Sequence, residues 1–344
     1  MKGNLYFWAM LKNIKHFLLF SLVALTIVAC ENDVDLLEEY QEIPVIYGLI
    51  DPSVKTHMVR VQRAFLGEGN ALLMAQNPDS ILYDTANIRL YLEKLPFGST
   101  TPTLIESFSP YYGVVKEEGL FTDQDHYVFR LESPNSIDVN AQYRLRFENI
   151  ATGKKVTSTT RIIEPIIFST FNNTTKVNLA NPNPYQLRFS SPKYGREFGL
   201  IMRVKYLEMD TLSLAIEQKS VDYKLDNLVS RTVAGGEEMI FFLRGNDIFR
   251  YLGSAIGPAS GSKKRILNSF KADYLFTVGT DDLYNYIKIN APSNTANFVP
   301  EFTNMSEGRG LFTCRYKTQV SDVVFNDLTY DSLLNGVYTK QIFE

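Results

Sequence analysis

The sequence predicts a mainly β protein, two sandwich-like domains with a few short helices, preceded by a secretion signal. Beyond residue 42, apolar and polar residues alternate with period two, the pattern of strands that bury one face. Clusters of Pro, Asn, Asp, Ser and Gly interrupt that alternation at short intervals, as turns do. Neither half shows the strand–helix–strand rhythm of a doubly wound parallel sheet.

The signal occupies residues 1–29. Lys2, Lys12 and Lys15 precede an uncharged apolar run from Phe17 to Ala29, too short for a stable bilayer span, which needs about 20 residues. Met10 is an alternative start, since Met10 to Ala29 alone has a charged beginning and an apolar centre. The run closes as Leu25-Thr26-Ile27-Val28-Ala29-Cys30, which resembles the bacterial lipobox. That resemblance implies diacylglycerol on the Cys30 thiol and cleavage after Ala29, so that acyl chains hold the mature protein on a membrane. The only other cysteine, Cys314, then has no disulfide partner and is expected inside a strand as a small hydrophobe.

Residues 30–41 read as a tether with five acids and no base, able to reach about 35 Å when extended. Losing the signal removes three of the 35 basic residues and none of the 38 acids, which takes the charge from −3 to −6. Nucleic acid is therefore not an expected partner.

The first domain is expected over 42–165. Its strands are Val45 to Ile50, His57 to Arg63, Ala86 to Glu93, Tyr127 to Leu131, Tyr143 to Phe147 and Lys155 to Ile162. Roughly six short strands with turn signals between them suit a sandwich of the immunoglobulin or transthyretin kind. Asn149 to Lys154, with Gly153, reads as a hairpin turn. The second domain, 166–344, carries Tyr185 to Phe189, Leu200 to Leu207, Ala215 to Lys224, Glu238 to Leu243, Asp273 to Val278 and Leu311 to Thr318. Helices are expected at about Asn246 to Leu252 and from an N-cap at Thr280 to about Ile289, where Asp281 and Asp282 favour the positive end of the dipole.

Residues that could carry chemistry are few. The mature chain has two histidines: His57, in a strand alternation and read as structural, and His126, in Asp123-Gln124-Asp125-His126, read as a surface turn. No spacing supplies the further ligands that zinc or calcium requires, so neither metal nor cofactor is expected. The stretch from Gly253 to Lys264 fails as a phosphate loop, because Ser262 separates Gly261 from the lysines and Pro258 disrupts the amides. Glu117-Glu118 and Asp281-Asp282 have no measured separation to recommend them as an acid pair. The long segment from Leu95 to Phe121 is a candidate binding loop through Phe97, Phe108, Tyr111 and Tyr112, aromatics that suit contact with a partner or glycan.

Asn290-Ala291-Pro292-Ser293-Asn294, then Asn304-Met305 and Gly308-Arg309-Gly310-Leu311-Phe312, together with the lipobox and tether, resemble a Bacteroidota family of outer-membrane lipoproteins classed as a domain of unknown function. The resemblance covers almost all of the mature chain, although Ala291 stands where the family often has a second proline. Members lie beside TonB-dependent receptors, which implies an outer-membrane, lipid-anchored accessory or ligand-binding subunit without catalytic residues. A surface adhesion or structural protein is the alternative expectation. A hydrolase built on Asp123, Asp125 and His126 is the third. The same lineage O-glycosylates Asp followed by Ser or Thr and an aliphatic or small residue. Four such motifs make Ser80, Thr85, Thr211 and Ser332 candidate sites, where average usage gives about one.

Overall fold

In the computed structural model, residues 42–64, 76–112, 127–132, 137–168, 171–259, 261–290, 301–340 and 342–343 are described. The mainly β architecture is as expected. Most strands form where alternation placed them: β1 (Ile43–Ile50), β2 (Thr56–Ala64), β3 (Ile88–Leu95), β4 (Leu104–Ser107), β5 (Ser109–Tyr112), β6 (Tyr127–Glu132), β7 (Gln142–Asn149) and β8 (Lys155–Arg161). They continue as β9 (Lys176–Val177), β10 (Tyr185–Ser190), β11 (Glu197–Asp210), β12 (Ile216–Lys224), β13 (Leu228–Val229), β14 (Glu238–Leu243), β15 (Lys263–Gly279) and β16 (Arg309–Phe325). Four short helices accompany them among the described residues: α1 (Pro78–Ile81), α2 (Gly245–Ile256), α3 (Asp281–Ile289) and α4 (Asp327–Asn335).

The largest sheet runs β12-β11-β15-β16-β1-β2-β6-β5, with β13 beside β11 and β9 beside β16. A four-stranded sheet, β4-β3-β7-β8, and a β10-β14 pair make up the rest. Alternation decides what each strand buries. On β2, His57, Val59 and Val61 turn inward, as do Leu90 and Leu92 of β3 and Leu145 and Phe147 of β7. On β11, Phe198, Leu200, Met202, Val204 and Tyr206 are buried, as the sequence pattern predicts. The β10-β14 pair supplies Phe189 and Phe241, whose rings stack at 5.9 Å, while Phe189 meets Phe198 of the large sheet at 5.4 Å.

The boundary expected near residue 166 does not divide two separate bodies, since Glu42–Glu344 is one compact unit. The reason lies in β16. Its first part pairs in parallel with β1, from Val45↔Arg309 to Ile50↔Cys314, and its second part pairs antiparallel with β15, from Arg315↔Gly279 onward. One long strand therefore carries both halves. The approach of β1 to β16 is close enough to need glycine. Gly310 has φ +113° and a Cβ there would overlap the Ile46 carbonyl oxygen, while one on Gly308 would come within 2.7 Å of the Pro44 oxygen. Asn304 fastens the strand start, accepting from Phe312 N at 3.0 Å and donating to Phe312 O at 2.8 Å.

At the far end of β11, Glu208 is buried among cations: Lys219 Nζ at 2.8 Å, Lys263 Nζ at 3.1 Å and Arg265 Nε at 3.1 Å. The Lys219 ammonium, assisted by Lys263 and Arg265 and opposed by burial, lowers its carboxyl to about 2.

Gly310→Ala is expected to cost about 3 kcal/mol in denaturant unfolding, through left-handed strain plus overlap. Gly153→Ala, also at positive φ but with open space around its Cβ, should cost only about 1 kcal/mol. Because Glu208 titrates lower folded than unfolded, its stabilisation is present above about pH 4.5 and lost as pH falls toward 2. Glu208→Gln should flatten the acid side of a stability–pH profile over that window; an unchanged slope would show the network to be inert.

Candidate functional site

The face of β1, β2, β6 and β16 opposite the four-stranded sheet is open, and α3 lies across part of it. Thr280 places the helix. Its hydroxyl accepts from Leu283 N at 3.3 Å and meets the buried Thr313 hydroxyl of β16. The two acids after it hold the helix start down: Asp281 pairs with Arg196 at 3.2 Å, and Asp282 accepts from Asn304 at 3.1 Å. Both carboxylates of the Asp281-Asp282 pair are thus engaged in structure.

Between α3 and the sheet lies a groove of about 820 Å³, within the ~300–1,000 Å³ range of small-molecule sites. Its floor comes from alternate residues of neighbouring strands. Tyr47 stands level with Leu311 on one side and Arg60 on the other, and Leu49 and Met58 follow toward the β1–β2 turn. Leu283, Tyr286 and Ile287 of α3 form the wall, with the Tyr286 ring edge-on to Tyr47 at 6.0 Å. Burial, with the Tyr286 hydroxyl beside it, pushes the Tyr47 phenol up to about 12, so it is a neutral donor at physiological pH. Four cations line the groove: Arg60, Lys55, Arg315 and Lys317. None has an acidic partner among the described residues, in contrast to Arg144 and Arg146 on Glu93 or Arg203 on Asp222. Arg60 and Arg315 each bury a guanidine Nε that donates to nothing. The acid in the lining, Asp51, turns its carboxylate to the Ser53 backbone N at 3.0 Å and to the Ser53 hydroxyl.

Alternation does place Met58 and Arg60 on the strand face opposite His57, so the floor was readable as a face. The groove was not, because its wall arrives from a helix more than 200 residues away. Of the two tyrosines on α3, Tyr286 packs against Tyr47, and Tyr284 lies 5.5 Å from Arg196.

The candidate binding loop is dispersed. Phe108 is buried in the core, Phe97 is exposed beneath the Arg161 guanidinium at 3.7 Å, and Tyr111 and Tyr112 lie on β5, so the segment is partly strand and its aromatics share no surface. Phe108 stands at the junction of β4 and β5, where its N donates to Leu90 O of β3 at 2.9 Å and its side chain joins the core. Among the candidate glycosylation sites, Ser80 lies in α1, Thr85 in a short 3-10 turn within 3.3 Å of the Tyr112 hydroxyl, and Thr211 at the β11–β12 turn. All are half-buried, and Ser332, within α4, donates to Leu328 O at 2.9 Å. Cys30, Glu117, Glu118, Asp123, Asp125 and His126 fall outside the described residues.

Gly253–Ile256 of the glycine-rich stretch is the last turn of α2, and Gly257 O accepts from Arg265 at 2.7 Å, so these residues cap a helix. Burial pushes the Cys314 thiol up to about 12, and it accepts from Ile163 N at 3.5 Å. Among the described residues no three His, Cys, Asp or Glu side chains gather as metal ligands. No helix there is long and apolar enough to cross a membrane. Compared with known families and with curated proteins, the sequence finds no match.

His57 is buried with neither ring nitrogen hydrogen-bonded, and burial lowers its pKa against the pull of Asp51 and Glu106. The folded state therefore resists protonation, so stability should fall as pH drops below about 6.5. His57→Leu is expected to lose less stability between pH 7 and pH 5 than the parent; equal losses would refute the assignment.

Proposed function

We propose that this chain is a lipid-anchored outer-membrane protein that captures a ligand and serves a TonB-dependent receptor as an accessory subunit, without catalysing a reaction. The observation that carries the capture role is the groove beneath α3, an apolar floor ringed by four cations with no acidic partner among the described residues. A concave apolar strip rimmed by charges of one sign is the kind of surface on which a ligand or partner docks. The anchor and the receptor enter from the lipobox ending in Cys30 and from the resemblance carried by Asn304, Gly308 and Gly310.

An adhesion or structural role is the second reading, and one feature favours it. The β11–β12 turn presents Leu212 and Leu214 to solvent on a backbone fixed by Asp210, whose carboxylate accepts from Leu212 N at 2.9 Å and Ser213 N at 3.0 Å.

Detergent extraction of the native lipidated protein should recover a large β-barrel receptor with it, and Cys30→Ser should abolish envelope retention. Repeated purification without a β-barrel, or full retention of Cys30→Ser, would sink the accessory reading. Recovery of the receptor lost on Leu212→Asp/Leu214→Asp would move the docking surface to that turn.

A further inference from the structure

We propose that the groove beneath α3 binds an elongated organic anion, with its acidic head on Arg315, Lys317 and Lys55 and its apolar body along Leu49 and Met58 to the Tyr47–Tyr286 pair. This deepens the capture role above and rests on it. The argument is one of register. Tyr47, Leu311 and Arg60 stand level across three strands, and Ile50 pairs with Cys314, so Arg315 lies one step beyond, beside Asp51 and the β1–β2 turn. The groove therefore extends over about four residues of strand, roughly 13 Å, with a polarity along it. Its turn end carries Lys55, Arg315 and Lys317, its middle Leu49 and Met58, and its far end the two tyrosines with Arg60.

Each part selects. A guanidinium that buries an Nε without an acceptor is satisfied by a carboxylate or phosphate oxygen. A neutral acceptor satisfies that donor too, but with a bond roughly half as strong. A small hydrated ion such as inorganic phosphate leaves the apolar strip exposed, where Met58 is 46% and Ile287 49% exposed. A cation meets three positive side chains and an Asp51 carboxylate already held by Ser53. An anion with an apolar body about as long as the groove answers all of them. At its far end, the neutral Tyr47 hydroxyl and Arg60 are placed to donate to a second polar group, so a compound acidic at both ends fits as well as or better than one acidic at a single end.

The test is calorimetry on the mature chain from residue 30 carrying Cys30→Ser, which has neither signal nor lipid and needs no detergent, with octanoate, octanedioate, inorganic phosphate and octyltrimethylammonium as probes. Octanoate and octanedioate are expected to bind, at least tenfold more tightly than phosphate or the ammonium compound, with affinity falling as salt rises. Arg315→Gln/Lys317→Gln should weaken octanoate at least tenfold, and Arg60→Gln should weaken octanedioate more than octanoate. Met58→Asp, at an exposed position, should abolish both without unfolding the chain. Equal affinity for phosphate would mean that the site reads charge alone, equal affinity for the ammonium compound that it reads apolar surface alone, and either overturns the proposal. So does octanoate binding that ignores all three variants. Receptor recovery without octanoate binding would reject this ligand and keep the accessory role; octanoate binding without receptor recovery would do the reverse.

Discussion

The parallel pairing of β1 with β16 holds this molecule's other features in place. It joins the first described strand to the last long one, and it brings backbone so close to backbone that side chains are excluded at Gly308 and Gly310. Parallel strands cannot be connected by a tight turn, and here the whole intervening chain forms the connection. Once closed, it fixes three things together. The two halves share a sheet, Leu311 and Thr313 come alongside Tyr47 and Leu49 with Arg315 just beyond Ile50, and the β16 face receives α3 through Thr313.

The Asn304 amide shows how a small polar group sustains that arrangement. It exchanges two hydrogen bonds with Phe312 and reaches Asp282 at the start of α3 with the same nitrogen. Strand register and helix position are thereby set by one side chain. Asn304, Gly308 and Gly310, three of the residues that carried the family resemblance, are accordingly residues of architecture.

Charge is handled differently in different places. On the β3–β7 face, Glu93 binds Arg144 and Arg146, and on β11 Glu208 binds three cations, so positive charge in those places is neutralised within the fold. Along the groove no acid plays that part, and Asp51 is spent on its own turn. The groove cations thus differ from those around Glu93 and Glu208, which are held by carboxylates of the fold itself.

The sequence by itself determined what depends on neighbours along the chain. Period-two alternation was enough to place most strands and to separate the two faces of β3, β7 and β11, because successive side chains of a strand point to opposite faces. The Thr280 cap and the Gly153 turn were legible for the same local reason. Tertiary structure alone decided the rest. That β16 joins both halves into one sheet, that Phe108 leaves the loop aromatics for the core, and that Tyr286 meets Tyr47 all depend on contacts between residues tens to hundreds of positions apart. Alternation states which face of a strand is apolar and is silent on which strand lies beside it, so the groove, assembled from β1, β2, β6, β16 and α3, exists only once those elements have packed.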